Sequence, residues 1–302
     1  MPEWDPEVEL DVDRARALID GQFPELRGAS IEQVGAGWDN VVFLVDGHWG
    51  FRFPRRAIAI PGVEREIATM PRLAAHLPAP IPEPRFVGRP TDGYPWPWFG
   101  APWLPGIELA EAELPDERRT ALAAGLGGFL RALHSAHVSR LVGAGLPVDP
   151  MRRGDMGFRV PHARRRLEEV VASGLWEPNA EVERLLARAA GAPPPPRTLV
   201  LHGDLHVRHV LVDERGHLSG VIDWGDVCAG DPSADLSIAY GCFTGEARRA
   251  FVDAYGPIDG LTELRARVIA TFLAAALLGY AAAEGMAGLQ AESRVALARV
   301  VS

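Results

Sequence analysis

The chain contains no lysine; all 31 of its basic residues are arginine, so wherever its chemistry needs a fixed cation, arginine must supply it. Cysteine is almost as scarce. Cys228 and Cys242 cannot build a disulfide framework, and their spacing matches no zinc motif, so both read as small buried hydrophobes. No apolar run reaches the roughly 20 residues of a bilayer-spanning helix. The most apolar segment, 268–283, has 16 residues and is interrupted by Thr271, Gly279 and Tyr280, which fits a buried helix better. The first ten residues carry four acids and no basic cluster, which argues against a secretory signal. No basic block offsets the 40 acids, and a net charge of −9 disfavours nucleic acid and anionic membrane as main partners. These absences point to a soluble, cytoplasmic monomer.

What is present is enough for a sizeable core: 302 residues, 47% of them hydrophobic, or one large domain or two modest ones. A short amphipathic helix is expected over 11–20. From residue 29 the pattern turns to strands at 31–34, 41–45 and 49–53, and Asp46-Gly47 is a strong hairpin turn between the last two. Residues 63–76 read as a helix that Pro71 should kink or divide. The stretch 78–105 is crowded with proline and tryptophan, which suits edge strands and a stiff connector rather than a central strand. Helices are then expected over 118–137, 161–173 and 181–190, followed by a stiff four-proline linker at 193–196. Two strands, 209–213 and 218–223, form a hairpin, and everything from 235 onward reads helical. No internal repeat is evident.

The chemically informative stretch is 199–236. It holds His202-Gly203-Asp204-Leu205-His206-Val207-Arg208-His209, then the hairpin, then Ile222-Asp223-Trp224-Gly225-Asp226, Gly230-Asp231-Pro232 and Asp235-Leu236. His209 and Asp223 bracket the hairpin, so strand pairing should bring them together at one end. A loop carboxylate, Asp204, then faces a two-residue metal site. Phosphoryl transfer needs that arrangement: one group to align a hydroxyl, and metal ions to neutralise phosphate oxygens.

The spacing matches the H-R-D-x-x-x-x-N loop and later aspartate of protein kinases. More closely, the segment resembles the antibiotic phosphotransferases that act on aminoglycosides and macrolides. Their pattern of H-G-D-L-H, I-D-W, G-D-P and D-L occurs here in order. The resemblance implies an α+β, two-lobed, protein-kinase-like fold. Residues 1–103 would form the nucleotide-binding lobe, with a hinge near 101–105, and 104–302 the helical lobe with the catalytic loop and acceptor pocket. It assigns Asp204 as the catalytic base, His209 and Asp223 as ligands of Mg²⁺ (Mn²⁺ being the alternative), and His202, Asp231 and Asp235 as loop supports. ATP or GTP would be the co-substrate. The family usually has asparagine where His209 stands; macrolide enzymes characteristically carry histidine there. Imidazole suits softer metals than Mg²⁺, so a loop-ordering role for His209 stays open.

In the first lobe, Gly35-Ala36-Gly37-Trp38-Asp39-Asn40 lies where a kinase's glycine-rich flap would lie, although such turns are common. Arg52 alternates with Phe51 and Phe53 and takes the place of the strand lysine that pairs nucleotide phosphates. The resemblance makes Glu66 its partner, with Glu64 the alternative. Ala101 or Trp103 should donate a backbone N–H to the base, because Pro102 has none. His206 and His217 read as loop and turn residues, and His134 and His137 as helix-end residues. Trp96, Trp98 and Trp103 read as packing between lobes.

The expected activity is transfer of a γ-phosphoryl group to a hydroxyl of a small molecule, a macrolide amino sugar first. An aminoglycoside is the alternative acceptor, and it would call for clustered carboxylates. Glu246, Asp253, Asp259, Glu263 and Glu284 are available, but nothing in their spacing gathers them. A metabolite kinase shares the pattern. A pseudokinase is disfavoured by the presence of both Asp204 and Asp223.

Overall fold

The computed structural model describes residues 6–37, 39–195 and 198–302. Trp38 of the glycine-containing turn and Pro196 of the proline run lie outside them. The chain divides into two units, Met1–Ala75 with Pro80–Leu104 and Trp224–Asp226, and His76–Ala79 with Pro105–Asp223 and Val227–Ser302.

The first unit is built from α1 (Val12–Gln22), β1 (Ile31–Ala36), β2 (Asn40–Val45), β3 (Trp49–Pro54), α2 (Ile60–Leu73), β4 (Phe86–Gly88) and β5 (Trp98–Pro102). The strands form one antiparallel sheet in the order β1-β2-β3-β5-β4. The Asp46-Gly47 turn has φ of 53° and 66°, left-handed conformations suited to Asp and Gly, and closes the hairpin between the paired residues Val45 and Trp49. Period-two alternation sorts the two faces. Phe43, Phe51, Phe53 and Trp98 are buried in a cluster with Ala15 and Ile19 of α1. On the opposite face, Phe99 and Ala101 pack with Val63 and Ile67 of α2. Arg52 lies on this second face, the α2 side.

Two proline expectations need correction here. Pro71 does not divide α2; it sits in the last turn, where only two residues follow. Within 78–105, β4 is the edge strand expected, but β5 is internal, its one proline, Pro102, standing at the last position opposite Trp49. The neighbouring pair, Trp103 N–H to His48 carbonyl at 2.7 Å, carries the ladder bond instead.

The second unit contains β6 (Ile107–Glu108), α3 (Thr120–Leu133), α4 (Ala136–Val142), α5 (Met156–Ala172), α6 (Ala180–Ala189), β7 (Leu199–Leu201), β8 (Val210–Val212), β9 (Leu218–Val221), β10 (Cys228–Gly230), α7 (Ser233–Cys242), α8 (Gly245–Tyr255), α9 (Gly260–Glu284) and α10 (Ala287–Arg299). The helix expected over 118–137 is two helices. Ser135 interrupts it, its hydroxyl accepting from Val138 N–H at 3.2 Å to cap α4. Asp155 likewise caps α5, so that helix starts five residues before Pro161 and contains it. Helix α9 has 25 residues and is long and apolar enough to cross a membrane by length and composition. Half of its most apolar stretch is buried, and it packs on α5, α7 and α10.

α3 and α8 approach closely at Gly127. A Cβ there would be driven into the Phe251 carbonyl oxygen and against Ala254, whereas one at Gly128 would meet nothing within 4 Å. Adjacent substitutions should therefore have opposite signs. Gly127→Ala should destabilise by about 1–3 kcal/mol through overpacking, and Gly128→Ala should stabilise by roughly 0.5–1 kcal/mol. Thermal denaturation of the two variants checks both; a shift of the same sign in each would contradict the packing described.

Candidate active site

The loop that carries Asp204 hangs from one buried carboxylate. β7 pairs antiparallel with β10, so His202 leaves the sheet beside Cys228, where β10 begins, and Asp231 leaves it at the opposite end. One turn later α7 presents Asp235, wholly buried. Asp235 Oδ2 accepts from His202 N–H at 2.8 Å, and Oδ1 accepts from Gly203 N–H at 2.9 Å. His134 Nε2 reaches Oδ2 at 3.1 Å, and its Nδ1 meets the Tyr255 hydroxyl at 3.0 Å. Burial acts to raise the Asp235 carboxyl, but these partners, His134 foremost, hold it below its ordinary value. Gly203 has φ of 91°, a conformation that favours glycine. His134, expected only at a helix end, is thus part of the brace. Asp231 accepts from Ser233 N–H at 3.1 Å and from its hydroxyl, fixing the start of α7.

Three histidine rings then define Asp204. The Asp204 N–H donates to His202 Nδ1 at 3.2 Å while His202 Nε2 donates to the Ile222 carbonyl at 2.9 Å. His209 Nδ1 donates to the Asp204 carbonyl at 2.7 Å, which leaves Nε2 as the lone-pair nitrogen. That nitrogen lies 3.5 Å from Asp223 Oδ2. The Ile222 N–H to His209 carbonyl bond, 2.9 Å, closes the end of the β8–β9 hairpin and keeps the two residues together. Asp223 itself has φ of 62°, a left-handed conformation that strains a non-glycine residue and is tolerated best by Asn and Asp.

His206 belongs to this group although its sequence position reads as loop. Its ring stacks on His209 with centroids 3.8 Å apart, and its Nε2 lies 3.6 Å from Asp204 Oδ2. Asp204, His206 and His209 offer ligand atoms all within 4.8 Å of one another. Burial acts to raise the Asp204 carboxyl, but His206, His209 and Arg153 hold it well below the carboxylate range. Arg153, itself buried against Asp149 at 2.7 Å, is another residue the sequence did not single out. Burial pushes the His209 imidazole down to about 4, His206 adds to that, and Asp223 and Asp204 oppose it without prevailing. At neutral pH, therefore, Asp204 is an anion and His209 a neutral imidazole.

The donors suit one divalent cation. Two ligands bonded at roughly 2.1 Å to a single ion stand about 3.0–3.5 Å apart, the range in which His209 Nε2 and Asp223 Oδ2 lie. A neutral imidazole anchored through Nδ1–H to a backbone carbonyl is the usual presentation of a histidine ligand.

In the first unit Arg52 Nη1 meets Glu66 Oε1 at 2.9 Å. With its amide oxygen turned inward, Asn40 accepts from Arg52 Nε at 3.2 Å and Nη2 at 2.9 Å. Glu66 Oε1 also accepts from Trp224 N–H at 3.2 Å, and Arg65 donates to the Gly225 carbonyl. Gly37 N–H donates to the Asn40 carbonyl at 2.8 Å. A Cβ at Gly35 would meet nothing within 4 Å and one at Gly37 only Asn40 O at 3.8 Å, so no contact within the described chain requires glycine there. The hinge expectation needs correction. Trp103 N–H is engaged by His48, and Ala101, paired with Gly50 two residues along the same ladder, also turns its backbone groups to β3. The alternation instead directs the Pro102 carbonyl to the other edge. Trp98 is core, and Trp103 is 47% exposed. Of the acids considered for a cationic acceptor, Asp259 caps α9 and Glu263 pairs with Arg267 at 2.8 Å.

The family model described as the phosphotransferase enzyme family matches residues 30–269. Viomycin phosphotransferase of Streptomyces vinaceus is 34% identical over 157 residues, about half of each chain: 51% of this one and 52% of the relative. The GDP and kanamycin complex of APH(2″)-IIia is 25% identical with a TM-score of 0.66, covering 95% of this chain and 97% of that one. The apoenzyme of macrolide 2′-phosphotransferase MphH from Brachybacterium faecium is 26% identical with a TM-score of 0.59, covering 93% and 97%.

Two variants test the electrostatics. Asp235→Asn leaves the loop amides without an anionic acceptor and should cost on the order of 3 kcal/mol, measured by denaturant titration. For His209, the unfolded chain takes up a proton near pH 6.5 that the folded protein refuses until about 4. Stability should therefore fall as pH drops through that window, and His209→Asn should flatten the slope. Parallel slopes for both proteins would contradict the buried, neutral imidazole.

Proposed function

The chain belongs to the phosphotransferase enzyme family, and from that premise we propose that it moves the γ-phosphoryl group of ATP or GTP to a hydroxyl of a small molecule, a macrolide amino-sugar hydroxyl foremost. The observation that carries this reading is the pairing of an ionised Asp204 with a neutral His209 whose Nε2 turns to Asp223. Asp204 accepts a hydrogen bond from the acceptor hydroxyl and aligns its oxygen for attack. Because it is held well below the carboxylate range, its contribution is orientation more than proton removal. That suffices for a loose phosphoryl-transfer transition state, in which the nucleophile loses its proton late.

His209 Nε2 and Asp223 Oδ2 would hold Mg²⁺ or Mn²⁺, which when bound neutralises β- and γ-phosphate oxygens. Arg52 offers its guanidinium to the nucleotide phosphates, aligned by Glu66 and Asn40. Gly35 and Gly37 leave the turn of the first unit open to phosphate, and the Pro102 carbonyl is the backbone group for the base. His202 and Asp235 hold the loop. The macrolide preference rests on His209, histidine in place of the family's asparagine. It is supported by the local pairing of Asp259 and Glu263, acids that a polycationic acceptor would need. The neighbours named for kanamycin and viomycin keep an aminoglycoside or related cationic acceptor as the second reading. We place the enzyme in the cytoplasm, where its nucleotide co-substrate is.

A coupled nucleotide-turnover screen with ATP and GTP against macrolides, aminoglycosides and amino alcohols tests the assignment. Asp204→Ala should lower kcat by about 10³-fold or more, in line with losing nucleophile alignment, and leave nucleotide affinity within a factor of about three. Retention of most of the wild-type turnover would remove Asp204 from the mechanism.

A further inference from the structure

Leu205 and Val207 are buried and anchor the loop, and His206 between them turns its ring to Asp204. His209 N–H donates to the His206 carbonyl at 2.9 Å, a single turn that sets the two rings one over the other. Their centroids are 3.8 Å apart and their planes 31° apart, so the stack holds the His206 ring in its plane.

The tautomer of His206 is set as well. Arg208 N–H donates to His206 Nδ1 at 3.3 Å, so in the neutral ring the proton is on Nε2. Nε2 is the atom that stands 3.6 Å from Asp204 Oδ2. At that separation the contact is a charge–dipole attraction, longer than a full hydrogen bond. Such contacts in a free enzyme commonly tighten when substrate binds. His209 Nδ1 also approaches Oδ2, at 3.8 Å, but its proton is given to the Asp204 carbonyl. His206 is therefore the ring with a proton for Oδ2, and both rings face the same carboxylate oxygen. Oδ1 is the oxygen they leave alone.

We propose that His206 is a positioning residue: its Nε2–H holds Asp204 Oδ2 and so leaves Oδ1 as the oxygen that takes the acceptor hydroxyl. The proposal rests on Asp204 aligning that hydroxyl. The need for such a group is physical. The terminal torsion of an aspartate is broad, and a misplacement of about 1 Å costs on the order of 10²-fold in rate. His202 and His209 fix the Asp204 backbone, which leaves the carboxylate rotation to His206.

Two substitutions separate this role from simple ordering of the loop. His206→Asn places an amide oxygen where Nδ1 stood and keeps the bond from Arg208 N–H, but has nothing at Nε2. His206→Gln places an amide N–H where Nε2–H stood and gives up the bond from Arg208. Positioning predicts that His206→Asn lowers kcat about tenfold with nucleotide KM unchanged, while His206→Gln keeps most of kcat. The opposite order, or equal kcat in all three proteins, would overturn the proposal. Turnover is read with erythromycin as acceptor, or as basal ATP hydrolysis, with water as acceptor, if erythromycin is not phosphorylated. Long-range proton–nitrogen NMR on the free full-length chain needs no acceptor. It should find the His206 proton on Nε2, and Asp204→Ala should move the Nε2 resonance more than the Nδ1 resonance. A proton on Nδ1, or an Nε2 resonance indifferent to Asp204→Ala, would also overturn it. On the Asp204→Ala background, His206→Asn should add less than about a twofold loss, because it acts through that carboxylate. Full turnover in Asp204→Ala itself would instead count against the functional reading.

Discussion

The arrangement depends on a single buried anion. Asp235 accepts from two consecutive backbone amides and from His134, and those amides belong to the residues immediately before Asp204. A carboxylate removed from water is stable only when its lone pairs are filled by well-aligned donors. The same requirement that makes Asp235 costly makes the loop rigid: His202 and Gly203 have one position, and Asp204 follows from it. The rings of His202 and His209 then tie Asp204 by its own N–H and carbonyl. Its backbone is fixed on both sides before any ligand arrives.

That backbone tie has a chemical consequence. Because His209 uses Nδ1–H to hold the Asp204 carbonyl, its tautomer is set, and its free nitrogen turns to Asp223. The orientations of the Asp204 carboxylate and of the His209 lone-pair nitrogen are one hydrogen bond apart. Burial keeps the imidazole neutral down to about pH 4, so Nε2 keeps its lone pair at neutral pH. The strained φ of Asp223 fits the same picture, since a backbone held in the left-handed region is retained where its side chain has to point in one direction.

Local pattern made much of this legible. Alternation at Phe51, Arg52 and Phe53 places Arg52 opposite the aromatic core, while Glu66 as its partner, ahead of Glu64, comes from the family resemblance. The hairpin ends foretold the approach of His209 and Asp223. What escaped the sequence had four causes. Long-range partners leave no local trace: His134 is about 100 residues from Asp235, and nothing in its helix marks it as a brace. Capping also overrode breaker signals. Asp155 started a helix ahead of Pro161, and Ser135 split a run whose apolar period continued through it. That Trp103 N–H is engaged by His48 is not visible in the sequence, because strand parity, which decides whether an N–H faces the ladder or the open edge, depends on register. Register was fixed by the His48–Trp103 bond. His206 was set aside because loop position alone does not reveal a ring stacked on its neighbour.

The claim on which the rest converges is that His209, through Nε2, and Asp223 share a divalent ion beside an ionised Asp204. It is tested most directly by the ratio of Mn²⁺- to Mg²⁺-supported phosphoryl transfer, measured for wild type and His209→Asn at neutral pH. Imidazole favours Mn²⁺ over Mg²⁺ more than an amide oxygen does. The account therefore predicts a lower Mn²⁺/Mg²⁺ ratio in His209→Asn, with Mg²⁺-supported activity substantially retained. An identical ratio in the two proteins would contradict it and reduce His209 to a residue that orders the loop.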